Sequence, residues 1–140
     1  MAKCKKLKDS QTFHWFNPNP KGNAAGDCVV RAISAFLHWD WEKTYRELAE
    51  HGIKTGYIIN DRENFTLFLF EKGFLKQRMP KREDGTKYTV TEFCKELAKP
   101  GHIYVCSLAN HLTFIGPDCS IWDTWDCGEK SVGNFWESEM

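Results

Sequence analysis

One cysteine stands where a helix is predicted to begin. Gly26-Asp27 is a turn followed by an N-cap type residue. Apolar residues then recur at the spacings of three and four that form one buried stripe of a helix: Val29, Val30, Ile33 and Phe36. Cys28 is therefore expected in the first helical turn, where free backbone N–H groups and the helix dipole favour a nucleophilic thiolate. A buried structural cysteine is the alternative interpretation.

A histidine and an aspartate lie in a predicted β-hairpin near the other end. Apolar and β-branched residues flank Gly116-Pro117-Asp118, which is a turn signal. A turn centred near position 117 places His111 opposite Asp123, on the same face of the sheet. The carboxylate would then orient the imidazole, whose other nitrogen faces a nucleophile. Asp126 is predicted to point to the other face, but a slip of one residue would reverse this, so it is the alternative orienting acid.

The order of these groups resembles that of the papain-like cysteine peptidases, in which a thiol opens a helix and the His-Asp pair lies on later strands. The chain is also similar to a group of small papain-like proteins of bacteria and phages, on these segments: Asn19-Pro20, Gly26-Asp27-Cys28-Val29-Val30-Arg31-Ala32-Ile33, His111-Leu112 and Asp123-Thr124-Trp125-Asp126. The resemblance extends over residues 16–136. It implies Cys28 as the nucleophile, His111 as the general base and Asp123 as the orienting group.

The side chain that completes an oxyanion hole is not assigned by the sequence. The larger papain-like enzymes have a glutamine shortly before the nucleophile, and this chain lacks it. The loop before Cys28 holds two prolines and three asparagines, so it is rigid and rich in amides. Asn19 and Asn23 are the candidate donors, and Asn17 is a third. For each of them, a purely structural role in the turn is the alternative.

Helices are predicted first and an antiparallel sheet last, which is an α+β layout. Four helices are predicted. The first starts at Cys28, the second covers 41–50 with Gly52 just past its end, and the third covers about 60–72. The fourth begins at a capping box of Thr89 and Glu92 and ends at about residue 99. Strands are predicted at 74–79, at 103–108, in the hairpin and at 130–136. In the papain-like layout that the resemblance implies, the first helix packs against the sheet and brings Cys28 to His111.

Length, composition and charge place the chain among single-domain proteins. Its 140 residues, 41% of them hydrophobic, are enough for one core, expected over 13–140 behind a flexible basic leader at 1–12. The 19 basic and 19 acidic side chains cancel, so neither nucleic acid nor an anionic membrane is expected as a partner. No apolar run has the length of a signal or membrane-spanning segment, so a soluble, cytoplasmic protein is expected. The resemblance adds an origin in a phage or mobile element.

The six cysteines are expected to be reduced thiols, since they fall within helix and strand patterns and none has Cys-x-x-Cys spacing. No metal site and no cofactor are predicted, because no ligand pair has the usual close spacing. His14 is an alternative partner for the thiol, although its aromatic surroundings favour a structural role. Trp122, Trp125 and Trp136 lie near the predicted site and are expected in the core, with the wall of a substrate groove as the alternative.

The expected function is a cysteine hydrolase that cleaves a peptide or isopeptide bond in a peptide or protein substrate through a thioester acyl-enzyme. An acyltransferase or transglutaminase would use the same three residues. Two further functions are compatible with the sequence: a non-catalytic binding module with the same fold, and a host-directed effector. The oligomeric state is not assigned.

Overall fold

The fold combines helices with a β-sheet, as predicted. The computed structural model describes residues 2–140, which form four helices and five strands. The helices are α1 (Cys28–Leu37), α2 (Trp41–Thr55), α3 (Arg62–Glu71) and α4 (Val90–Glu96). The strands are β1 (Phe13–Trp15), β2 (His102–Leu108), β3 (His111–Ile115), β4 (Ile121–Asp123) and β5 (Phe135–Glu139). The α+β class is therefore confirmed.

The five strands form one mixed sheet in the order β1-β4-β3-β2-β5. The pairs β2–β3, β2–β5 and β3–β4 are antiparallel, as predicted. The prediction of an antiparallel sheet is wrong at one edge, because β1 pairs with β4 in parallel, with Trp15 opposite Asp123. A parallel pair needs no local turn, so nothing near β1 in the sequence signals its partner. This pairing fixes the end of β4 from its outer side.

Side chains alternate between two cores on the two faces of the sheet. On β2, Ile103 and Val105 join α1, α2 and α3 in one core, whereas Tyr104 and Cys106 join α4 in the other. Such alternation follows from the period of two along a strand. Helix α1 packs on β3 and β2 with its apolar stripe. Helix α1, which begins with Cys28, is thereby held against the strand that carries His111.

Four helix ends, in three helices, differ from the sequence prediction. Helix α2 continues through Gly52, which was expected beyond its end, and stops at Gly56, whose φ of +86° is in the left-handed region. Gly52 is needed for a close approach, since a Cβ atom there would lie 2.6 Å from the carbonyl oxygen of Tyr57. Helix α3 is one to two residues shorter at each end than predicted. Helix α4 begins with the predicted capping box of Thr89 and Glu92 but ends at Glu96.

Two predicted strands are also placed differently. Residues 74–79 form no strand and share only an isolated bridge between Gln77 and Phe135. These residues are mostly exposed, so they lack the buried face that a strand of the sheet needs. The last strand begins at Phe135, whereas 130–136 was predicted. The residues before it form turns and the isolated bridge from Ser131 to Thr89, which holds the start of α4.

The start of the chain lies against the loop that precedes Cys28. Lys3 bridges to Asn23 in the antiparallel sense, and the backbone N–H of Cys4 donates to Gly22 at 2.8 Å. The flexibility of residues 1–12 stays a prediction, as does the domain boundary at residue 13. Among residues 2–140, no helix combines the length and the apolarity that crossing a membrane requires.

Candidate active site

Cys28 is the first residue of α1, and its thiol is half-buried at the wall of a cleft. The stripe of apolar residues that follows it is buried, as the spacing predicted. Asp27 occupies the N-cap position, but its side chain accepts no capping hydrogen bond from a backbone N–H of the first turn. Within residues 2–140, no acceptor takes the backbone N–H of Cys28. This N–H is therefore available to a negatively charged oxygen beside the thiol.

His111 and Asp123 are in direct contact across β3 and β4. His111 Nε2 lies 2.7 Å from Asp123 Oδ2, where the N–H of the ring donates to the carboxylate. Asp123 is 3% exposed, and His111 is half-buried under the ring of Trp125, with 4.9 Å between ring centroids. Because Nε2 is engaged by the carboxylate, Nδ1 is the ring nitrogen that remains for Cys28.

The hairpin reaches this contact through a register other than the predicted one. Phe114 pairs with Trp122, whereas a turn centred at 117 would place it opposite residue 120. The prediction of the register is therefore wrong by two residues. Side chains on a strand alternate with a period of two, so a shift by two keeps His111 and Asp123 on one face. The two side chains meet diagonally rather than directly opposite each other.

Asp123 is held by several donors besides His111. Its Oδ2 accepts from Thr113 Oγ1 at 2.7 Å, and its Oδ1 accepts from the backbone N–H of Thr124 at 2.7 Å. Burial would raise the pKa of the Asp123 carboxyl, but the contact with His111, the hydrogen bond from Thr113 and the charge of Arg31 outweigh it and hold the pKa below the usual range. The alternative acid, Asp126, is exposed and accepts from the backbone N–H of Gly128 at 3.0 Å. The structure thus brings Asp123, and not Asp126, to His111.

The pKa values of the thiol and the imidazole move in opposite directions. Burial raises the pKa of Cys28, but His111, the backbone N–H of Leu112 and the charge of Arg31 together bring it below its usual value. Burial would lower the pKa of His111, but its contacts with Asp123, Cys127 and Cys28 raise the pKa to about 11. These opposite shifts favour a thiolate beside an imidazolium, which is the reactive form of a nucleophilic cysteine.

Arg31 is a residue of the site that was not singled out from the sequence. It is 7% exposed, and its guanidinium pairs with Asp27 through Nη1 and with Asp123 through Nη2, the latter at 3.2 Å. Asp27 also accepts from Trp41 Nε1 at 2.9 Å. The sequence signal for Arg31 is its spacing of four positions from Asp27 at the start of a helix. The neighbouring residues of that helix are mostly apolar.

The candidate oxyanion donors differ in what their amides contact. Asn19 is buried, and its Nδ2 donates to Asp27 Oδ2 at 3.3 Å, so it supports the charge network. Asn17 accepts from the backbone N–H of Asn19, and its Nδ2 is buried without a partner in residues 2–140. Asn23 lines a cleft together with Cys28 and His111. Of the three asparagines, Asn23 is the one that shares a cleft with Cys28, and its Oδ1 accepts from Lys3 Nζ at 3.0 Å.

Two clefts meet at the Cys28–His111 pair. One, of about 500 Å³, is bounded by the start of α3 at Asp61 and Arg62. The other, of about 440 Å³, is bounded by residues 23–26 and by Trp125, which is 37% exposed rather than in the core. Asn110, with a positive φ of 54°, lines both clefts and was not singled out from the sequence.

One group of candidate metal ligands occurs in residues 2–140, and it overlaps this site. Atoms of His111, Asp123 and Cys127 lie within 4.8 Å of one another. The 2.7 Å between Nε2 and Oδ2 is a hydrogen-bond distance, whereas two bonds of about 2.0 to 2.2 Å to one zinc ion would separate these atoms further. The geometry therefore fits a hydrogen-bonded cluster. All six cysteines, which lie within the described residues, carry free thiols.

His14, the alternative partner of the thiol, lies elsewhere. Its Nε2 contacts Asp118 at 2.9 Å and its Nδ1 contacts Asp9 at 3.3 Å, in a cluster where it also packs on Trp122.

Comparison of the chain with protein-family models, with curated proteins and with solved structures finds no match. The function is therefore inferred from the site itself.

Proposed function

We propose that this chain is a papain-like cysteine hydrolase that cleaves a peptide or isopeptide bond. One observation carries the proposal: His111 lies between a thiol at a helix N-terminus and a buried carboxylate 2.7 Å from its Nε2. Each of the three groups has a defined part in acyl transfer by a cysteine nucleophile. The packing of α1 against the strand of His111 supports the papain-like assignment of the fold.

In the first half-reaction, the Cys28 thiolate attacks the carbonyl carbon of the scissile bond. A C–S bond forms, and the negative charge on the carbonyl oxygen is stabilised by the backbone N–H of Cys28 and by the amide of Asn23. His111 then donates its Nδ1 proton to the leaving nitrogen. The C–N bond breaks, the amine leaves, and a thioester on Cys28 remains.

In the second half-reaction, neutral His111 accepts a proton from a water molecule that attacks the thioester. The C–S bond breaks, the carboxylic acid product leaves, and the proton held by the imidazole restores the ion pair with the thiolate. Throughout, Asp123 keeps Nε2 protonated and the ring oriented. Trp125 packs against the ring of His111 and limits the access of solvent to the imidazole.

The proposal is tested with a library of peptides from a digested proteome, in which new termini are identified by mass spectrometry. Wild type is expected to generate termini that Cys28→Ala does not, and a thioester on Cys28 is expected on acid quenching. Cys119→Ala, which removes another partly exposed thiol, is the matched control and should cleave as wild type. Cleavage by Cys28→Ala, or no cleavage together with an ordinary Cys28 thiol, would contradict the proposal.

The same experiment separates hydrolysis from acyl transfer, which shares the thioester. With a primary amine added at high concentration, a hydrolase still releases mainly the acid, whereas an acyltransferase or transglutaminase gives mainly the amide. A binding module gives neither product and no thioester.

A further inference from the structure

Arg31 is the one arginine that is buried among residues 2–140. It lies three positions after Cys28 on α1, so both side chains belong to the first turn of the helix. Its guanidinium contacts two buried carboxylates, those of Asp27 and Asp123, which come from distant segments of the sequence. Only Asp123 belongs to the proposed catalytic residues.

Stability alone gives a poor account of this ion triad. Burial of an arginine and two carboxylates removes three charges from water, and well-packed apolar residues often serve a core as well or better. The neighbours of Arg31 on α1 are such residues: Val29, Val30, Ala32 and Ile33. A charge at this position is therefore expected to have a task that an apolar side chain cannot perform.

We propose that Arg31 is a positioning residue that ties the helix of the nucleophile to the strand of the orienting acid and turns one oxygen of Asp123 towards His111. This inference rests on the proposed function. Arg31 Nη2 and the backbone N–H of Thr124 both donate to Oδ1 of Asp123, at 3.2 and 2.7 Å. Oδ2 is thereby directed to His111 Nε2.

The other end of the guanidinium is clamped as well. Asp27, which binds Nη1, accepts from Asn19 Nδ2 at 3.3 Å and from Trp41 Nε1 at 2.9 Å. A planar fork with fixed donors can hold two carboxylates at set positions, whereas an ammonium group acts as a single point charge. Through these hydrogen bonds, the loop that holds Asn19 and the start of α2 at Trp41 help to fix the position of Asp123.

The test is the pH dependence of the alkylation of Cys28 by iodoacetamide, read by peptide mass spectrometry. Three variants are compared with wild type: Arg31→Gln removes the charge and the fork, Arg31→Lys keeps the charge alone, and Arg46→Gln removes an exposed arginine that pairs with Glu42 on α2. The remaining titratable or charged groups that face Cys28 and His111 are Cys4, Asp27, Asp61, Arg62, Asp123 and Cys127. Apart from Asp27 in the double variant described next, none of them is changed.

Arg31→Gln is expected to move the acid limb of the alkylation profile up by about one pH unit, which is about a tenfold loss of rate near pH 6. Arg31→Lys is expected to recover less than half of this shift, because the point charge does not hold Asp123 in place. Arg46→Gln should match wild type. If Arg31→Gln does not fold, Arg31→Gln with Asp27→Asn, which removes the unpaired carboxylate, is expected to fold and to show the same shift.

Each contrary outcome has a definite meaning. An unchanged profile in a folded Arg31→Gln variant, or failure of both that variant and the double variant to fold, would make Arg31 a purely structural residue. Full recovery by Arg31→Lys would make it a charge without a positioning role. If wild-type Cys28 itself shows no reactivity at low pH, the proposed function fails, which is distinct from the failure of the inference about Arg31.

Discussion

Replacing Asp123 with asparagine tests whether the buried carboxylate governs the thiol through His111. Asparagine has the same shape, so it leaves no cavity, but it removes the charge that accepts from Nε2 at 2.7 Å. An amide that presents its NH₂ to Nε2 would force the ring proton to Nδ1. Nδ1 could then no longer act as a base towards Cys28. A hydrogen bond to a charged group contributes about 1.5 to 3 kcal/mol. At about 1.4 kcal/mol per factor of ten, Cys28 alkylation at pH 6 should slow by about 10- to 150-fold.

The matched control is Asp126→Asn, three residues further along. Asp126 is exposed and accepts from the backbone of Gly128, so the rate should stay within about twofold of wild type. Both variants are assayed by alkylation of Cys28 at fixed pH, with circular dichroism to establish that they fold. Equal rates for the two variants, or a larger loss in Asp126→Asn, would refute the assignment of Asp123 as the orienting acid.

Three further substitutions test the nucleophile and two features of the fold. Cys28→Ala should fold as wild type while losing all activity, because its thiol is half-buried at a cleft wall; a loss of more than about 2 kcal/mol in thermal unfolding would make it a core residue. Gly52→Ala should destabilise by about 1 to 3 kcal/mol in urea unfolding, since its Cβ would lie 2.6 Å from the Tyr57 carbonyl oxygen; a neutral effect would contradict this approach. Thr89→Ala should cost about 1 kcal/mol through loss of its cap to Glu92, and no change would show that the cap contributes nothing.

The candidate site was predictable to the extent that its signals are local. The turn before Cys28 and the spacing of the apolar residues after it define a helix start, and the structure has α1 begin at that residue. The hairpin is recognisable from its turn, although its register is not. His111 and Asp123 still fall on one face, because the error of two residues equals one period of a strand. An error of one residue would have selected Asp126.

The parts that could not be predicted depend on contacts between distant segments. Arg31 meets Asp123 only after α1 has packed on the sheet. The sequence alone indicates at most the pair of Arg31 with Asp27, four positions before it. The strand at Phe13–Trp15 joins β4 in parallel, and no turn links the two. The predicted end of α2 is wrong because Gly52 resembles a terminator. Its true role is steric, and it becomes visible only when the backbone of Tyr57 is in place.

Central to the proposed chemistry is a thiolate–imidazolium pair of Cys28 and His111. The most direct measurement is the rate of Cys28 alkylation by iodoacetamide over a range from acid to basic pH, in wild type, in His111→Ala and in the control His14→Ala. A lowered pKa means that the thiolate persists as the pH falls below the usual thiol value and is lost only at lower pH. Cys119, whose pKa burial and Asp118 raise, is an internal reference that should react only at higher pH.

In wild type and in His14→Ala, Cys28 is expected to react at a lower pH than Cys119 does, whereas His111→Ala should move its reactivity up towards the ordinary thiol pKa of about 8.5. A Cys28 that titrates near that value in wild type, or one whose profile is the same in His111→Ala, would contradict the ion pair and the hydrolase mechanism that depends on it.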